Sequence, residues 1–360
     1  MNLLKSIILT FSLLFIDLQA QNVELRFVGD AMLHSRQLDI ALKNGQYSFE
    51  SYFTDLIPLL DKSDINIVNL ELALGGPPYT GYPCFSGPDE FAVSLKKSGF
   101  NVFLNANNHT LDRGTTGARR TIRVLDSLQI SHAGIYLSNK EREEQYPLII
   151  QKNDIRIALL NYTYGTNGAK ARAGFIVNYI DTLQIKADII ESRKRNADII
   201  IANIHWGIEY RLLPDKQQKQ LANWLIDQGV MAVIGSHPHV IQPIEFIRNK
   251  HNQACIIAYS LGNFVSAMSK ENTGCGLMLR LSVSKGIVNT QIDSCSYRLL
   301  YTKRFARNQT PVFEVKDLSS TLPPDSMFST YQLHLVKTDL KTIRKLLKEN
   351  NIGITEEKER

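Results

Sequence analysis

The sequence predicts a large α/β domain, and three observations carry that expectation. Short β-branched or aromatic runs recur along the chain, amphipathic helical patterns separate them, and the main runs end in clusters of acid, amide or imidazole side chains. Continuous apolar runs of this kind belong to strands buried on both faces. Composition agrees, since 44% of the 360 residues are hydrophobic and 21% charged, which excludes disorder, collagen and coiled coil. The 41 basic and 35 acidic residues leave a net charge of +6 spread along the chain. With no basic arm or stripe, nucleic acid is not an expected partner, whereas an anionic substrate is compatible.

Met1 to Ala20 carries Lys5, the uncharged run Ile7 to Ile16, and Leu18-Gln19-Ala20 before the polar Gln21-Asn22. This predicts a signal peptide, a mature chain starting near Gln21, and an exported protein, periplasmic or extracellular. Asp17 and Leu18 are unusual at a cleavage site, so an uncleaved membrane anchor is the other reading. The apolar run is shorter than the roughly 20 residues a spanning helix needs, and no integral membrane segment is expected after signal removal.

The strands then follow in order. Val23 to Val28 ends at Gly29-Asp30, Ile65 to Leu70 at Glu71, and Asn101 to Leu104 at Asn107-Asn108-His109. Pro147 to Ile150 and Ile155 to Tyr162 come next. Ile199 to Ile204 ends at His205, and Val230 to Ile234 leads to His237-Pro238-His239. Cys255 to Tyr259 is a further buried run, while Leu277 to Val283 and Ile287 to Ile292 alternate like a hairpin. Gly117 to Leu128 and Asp215 to Gln228 read as helices, and Gly99 and Gly229 fall where helix C-caps are expected. The main domain is expected over residues 21 to 300. An extension from 301 to 360 would hold a linker at Thr321 to Asp325, an amphipathic, mostly basic helix from Thr338 to Asn350, and a frayed tail from Glu356. The four cysteines form no C-x-x-C pair. In an exported protein Cys275 with Cys295 is the disulfide to expect, with free buried thiols as the other reading.

Polar residues just past the carboxyl ends of several strands converge on one edge of the sheet, where open α/β folds bind ligands. Here they are Asp30, Glu71, Asn108, His109, His205, His237 and His239, a set suited to divalent ions that activate water. Singly, each has an ordinary reading: Asp30 caps a helix, Asn108 holds a turn, His205 beside Trp206 is a core histidine.

Their order resembles the calcineurin-like metallophosphoesterase pattern. Val28-Gly29-Asp30-Ala31-Met32, Asn69-Leu70-Glu71, Leu104 to His109, Leu111-Asp112-Arg113-Gly114, His205-Trp206-Gly207 with Glu209, Gly235 to Val240 and Ser260 to Phe264 look like the CapA family. That family is named for poly-γ-glutamate capsule biosynthesis, and its members resemble metallophosphatases in fold. The resemblance covers about residues 23 to 268, and Tyr162-Thr163-Tyr164-Gly165 is also similar. It implies that Asp30 and His239 hold one metal and Asn108, His205 and His237 a second, with Glu71 as bridging carboxylate. One or two ions of manganese, iron, zinc or magnesium would suit those donors.

The same resemblance gives His109 the protonation of the leaving group. Asp112 either orients that imidazole or caps the helix beginning near Thr115. Glu209 is a second general acid or base, or a solvated carboxylate; Ser260 and Asn263 line the pocket, or make a turn. Trp206, Tyr162 and Tyr164 are expected in the core, and Arg36 and Arg113 in solvent. One departure stands out, because the phosphoesterase pattern is Asp-x-His and the chain has Met32 at its third place; His34 keeps the strand parity but falls beyond the expected turn. The implied function is an exported metal-dependent hydrolase acting on an anionic or polymeric envelope substrate. The alternative is a non-catalytic component that binds polymer beside capsule synthesis and export proteins.

Overall fold

A computed structural model describes residues 21–357 apart from 173, 287, 288, 307, 309 and 320–326. The signal peptide and the linker expected above lie outside the described residues. The first strand, Gln21–Ala31, sits in the middle of a nine-stranded sheet. On one side it pairs in parallel with Ile65–Leu70, which continues to Val102–Leu104 and Ser131–Ala133, all parallel. On the other side Cys275–Lys285, Thr290–Phe305 and Pro311–Asp317 follow as antiparallel neighbours. A six-stranded sheet runs in the order Ile244–Arg248, Ala254–Ala258, Ala232–Ser236, Ile199–His205, Ile155–Thr163, Leu148–Lys152. Its four inner strands are parallel and its two edges antiparallel.

The two sheets pack face to face because each strand sorts its side chains by parity. Val23, Leu25 and Phe27 enter one buried cluster with Ile157, Leu159 and Ile201 of the second sheet. Val28, Val68, Leu70 and Phe103 face the other way, into a second cluster with Phe49, Phe53 and Phe91. The far side of the six-stranded sheet is covered by helices Thr182–Lys194 and Lys216–Asp227, through Ile185, Ile189, Ala222 and Leu225. A strand such as Ile199–His205 is therefore buried at every residue, as its unbroken apolar run predicted.

Local chemistry sets the ends. Asp215 caps the helix Lys216–Asp227, exchanging bonds with Gln218, and Gly229 follows it at φ 93°. Helix Gly114–Ser127 starts three residues before the pattern suggested, and the C-terminal helix runs from Thr330 to Asn350, eight residues longer at its start. The hairpin expected after Leu277 is present, with Val283 opposite Ile292, but its second strand continues through residue 300 to Phe305. Asn263, read as lining the pocket or making a turn, opens the short strand Asn263–Val265 that pairs with the first strand at Asp30. The expected disulfide is not formed. In that hairpin Cys275 lies opposite Tyr301 and Cys295 opposite Leu281, so register separates the two thiols, and all four cysteines are free.

Candidate metal centre

Asp30 is the second-last residue of its strand, and Glu71 comes directly after Ile65–Leu70. Asn108 and His109 sit in the loop beyond Val102–Leu104, His205 ends its strand, and His237 follows Ala232–Ser236. The carboxyl ends of parallel strands from both sheets thus meet at one place, and residues more than two hundred positions apart become neighbours. The His237-Pro238-His239 turn is held at positive φ at both histidines, 100° and 58°, a backbone state uncommon for residues other than glycine.

Asp30 accepts from the Asn69 amide at 2.8 Å and from the His237 backbone N–H at 3.2 Å, and its Oδ2 is 3.2 Å from His239 Nδ1. Glu71 Oε1 lies 3.5 Å from His205 Nε2 and 3.9 Å from His239 Nε2, and so faces both halves of the cluster. His205 Nε2 is 2.7 Å from Asn108 Oδ1, while its Nδ1 is 2.9 Å from Ser236 Oγ. Three groupings have ligand atoms within 4.8 Å of one another: Glu71 with His205 and His237, Asp30 with Glu71 and His239, and Glu209 with His237 and His239.

Burial makes this cluster electrostatically unusual. Glu71 is fully buried, and both of its carboxylate oxygens lack a hydrogen-bond partner, as does His237 Nδ1. Desolvation, with the Asp30 carboxylate beside it, pushes the Glu71 pKa well above the ordinary range. Desolvation also keeps His205 neutral and brings His237 down to about 3. Buried acceptors left without donors are rare in folded proteins. Carboxylates and neutral imidazoles aimed at one another with free lone pairs are consistent with divalent metal ions as the missing partner.

Around this core the expected residues divide. His109 Nδ1 is 2.7 Å from Asp112 Oδ2, which also accepts the Phe85 backbone N–H at 2.7 Å, and the Phe85 ring stands edge-on to the imidazole. Asp112 therefore orients the imidazole; helix Gly114–Ser127 has no side-chain cap. Asn263 and Ser260 are buried with their hydrogen bonds spent on the protein, so they stand behind the cluster rather than lining a pocket. Asn263 Oδ1 is 3.0 Å from His239 Nδ1, and Ser260 Oγ donates to the Val240 carbonyl and accepts from Gly262 N–H. Tyr162 and Trp206 are core residues, but Tyr164 is not: it is 48% exposed and its ring lies 4.6 Å from that of His237. Beside it opens a groove of about 810 Å³ lined by Trp206, Ile208, Lys216, Leu221 and Trp224. Arg36 lies over the Phe305 ring.

Several residues not singled out in the sequence hold the site in place. Asn69 holds Asp30, Asn107 Oδ1 accepts the His109 backbone N–H, and Asn161 Oδ1 accepts the backbone N–H groups of Asn105 and Ala106. Asn69 carried a signal, since it shares strand parity with Glu71. For Asn161 none existed in the linear sequence.

The family model described as bacterial capsule synthesis protein PGA_cap matches residues 24–268. Capsule biosynthesis protein CapA of Bacillus anthracis is 29% identical over 258 residues, which are 68% of this chain and 60% of that protein. PGA biosynthesis protein CapA of Bacillus subtilis strain 168 is 31% identical over 251 residues, 66% of this chain and 62% of that one. The chain thus spans about 60% of the length of these curated relatives. Among solved structures, Haemophilus influenzae NAD nucleotidase (NadN) superposes with a TM-score of 0.50 over 95% of this chain and 65% of its own, at 12% identity. That likeness concerns the fold alone, a layered α/β arrangement.

Proposed function

The chain belongs to the PGA_cap family of bacterial capsule synthesis proteins, and from that premise we propose that it is an exported, metal-dependent hydrolase acting on an anionic envelope polymer of the poly-γ-glutamate type or on its precursor. The observation that carries hydrolysis is the His109–Asp112 pair, oriented beside a buried donor cluster whose Glu71 oxygens and His237 Nδ1 have no partner. Asp30, Glu71 and His239 would hold one ion, and Asn108, His205 and His237 with Glu71 a second. A divalent ion bound there supplies Lewis acidity and lowers the pKa of water toward neutrality.

The chain's own residues do the rest. Asp112 engages Nδ1 of His109, which leaves Nε2 to give a proton to the departing oxygen or nitrogen. Asn263 and Ser236 occupy Nδ1 of His239 and His205, so that Nε2 of each ring is turned to Glu71. The groove beside Tyr164 offers a bed for a length of polymer. Export rests on the basic, then apolar, then small-residue order of the first twenty residues.

The test takes protein from its native host and reads its amino terminus, its metal content and its turnover of a phosphodiester and peptide panel. A start near Gln21 and bound divalent metal are expected. His109→Ala should keep the metal and lose about 10² to 10⁴ in turnover, the share of a general acid, whereas Asn108→Ala should lose metal and turnover together. Full turnover in the His109 variant would overturn the general-acid role. No turnover by the wild type, with capsule production surviving His109→Ala in complementation, would establish a polymer-binding component instead.

A further inference from the structure

We propose that Glu209 is a metal ligand, sharing with His237 and His239 an ion at the cluster to which position 32 supplies no imidazole. The inference rests on the metal-dependent reading and deepens it.

Position 32 contributes no donor. The Met32 side chain is buried in the apolar cluster with Leu33, Phe85 and Phe264, and its backbone N–H is bound to the Val265 carbonyl at 2.9 Å. His34 does not take its place, because its Nδ1 lies 3.3 Å from Gln37 Oε1 and 3.4 Å from the Ala267 backbone N. Among the described residues His34 belongs to none of the His, Asp and Glu groupings. One coordination position of an ion at Asp30, Glu71 and His239 therefore has no donor from this strand.

Glu209 reaches the cluster from the opposite sheet, just beyond the strand Ile199–His205. A carboxylate oxygen of Glu209 and ring nitrogens of His237 and His239 lie within 4.8 Å of one another. His237, 4% exposed, has no partner at Nδ1, and Glu71, fully buried, has none at either oxygen. The position of Glu209 is enforced by backbone. Gly207 makes the turn after the strand at φ 88°, where a Cβ would meet the Gln218 amide at 2.7 Å. The Tyr210 N–H then binds the Pro238 carbonyl at 2.8 Å, which ties the Glu209 loop to the turn bearing both histidines. Carboxylate and imidazoles are thus carried as one unit. Glu209 brings the carboxylates of the cluster to three, with Asp30 and Glu71, a harder donor set that favours manganese or magnesium over zinc.

The experiment titrates the full-length, metal-stripped protein with Mn²⁺, following stoichiometry by calorimetry and elemental analysis and ion-ion coupling by electron paramagnetic resonance. The wild type is expected to take two ions with a coupled spectrum. Glu209→Gln should keep one, weaken the other at least tenfold and give the spectrum of isolated Mn²⁺. Glu209→Asp, which keeps a carboxylate, and Glu209→His, which puts an imidazole in its place, should each restore the second ion. Wild-type affinity for both ions in Glu209→Gln overturns the proposal, as does loss of the ion that neither folded rescue variant regains. A wild type that binds two ions yet hydrolyses nothing overturns the hydrolase reading and leaves this assignment standing. Turnover together with metal binding indifferent to Glu209→Gln does the reverse.

Discussion

Gly29 has no room for a side chain. A Cβ there would lie 1.9 Å from the Gly262 carbonyl oxygen, which is also the acceptor, at 3.0 Å, for the Asp30 backbone N–H. The glycine before Asp30 is thus a matter of close approach, since the two backbones must touch for the carboxylate to stand among the histidines. Gly29→Ala is expected to destabilise the protein by about 1 to 3 kcal/mol, the usual range for overpacking, and to lower metal content with it. A urea midpoint equal to wild type would show that the strand can shift. His34 makes a different kind of prediction. Burial brings its pKa down to about 4, against a small raising effect of Gln37 and a further lowering from His239 and His109. The unfolded chain, with an imidazole near pKa 6.5, binds more protons between those values than the folded one. This contribution to stability is therefore complete above about pH 6.5 and lost as pH falls toward 4. His34→Gln should flatten part of the decline in urea midpoint over that window, and identical pH profiles would contradict the assignment.

At the scale of elements, the helix Thr182–Lys194 is joined to the strand Ile155–Thr163 and the helix Asn139–Gln145 through a single buried acid. Asp188 Oδ2 accepts from Arg142 at 2.6 Å and from the Tyr162 hydroxyl at 2.7 Å, while Oδ1 meets the other guanidinium nitrogen at 3.2 Å. Removing it leaves a largely buried guanidinium unpaired, so Asp188→Ala should cost about 3 to 5 kcal/mol. Denaturant unfolding measures that loss, and a loss below about 1 kcal/mol would mean that Arg142 finds solvent. The helix itself carried only a weak pattern in the sequence. By contrast the helix Lys216–Asp227 was legible to within a residue, because Asp215 and Gln228 mark its ends chemically. Strand Asn263–Val265 was not, since three residues after a glycine look like a turn until the first strand lies beside them.

For the whole molecule, the chain beyond residue 300 completes the main sheet. Thr290–Phe305 crosses that position and pairs with Pro311–Asp317, and Val336, Leu340, Ile343 and Leu347 of the last helix join the cluster between the sheets. A chain ending at residue 300 should lose cooperative unfolding and aggregate when expressed, because the cut strand Thr290–Phe305 would become an open edge and the apolar face under the last helix would be exposed. Recovery of soluble protein with a wild-type thermal transition would show the extension to be an independent unit. The sequence by itself determined the α/β class, the long buried strands of the two sheets, and Asp30, Glu71, Asn108, His205, His237 and His239 as a set of strand-end donors, because burial on both faces and donor clusters at strand ends are local properties of the chain. Tertiary structure alone decided how those side chains and their neighbours are arranged. Whether Asp112 orients a histidine or caps a helix, whether Asn263 touches substrate or holds His239, that Cys275 and Cys295 do not meet, and that Glu209 stands beside His237 and His239 depend on the register and packing of segments distant in sequence, which no local pattern encodes.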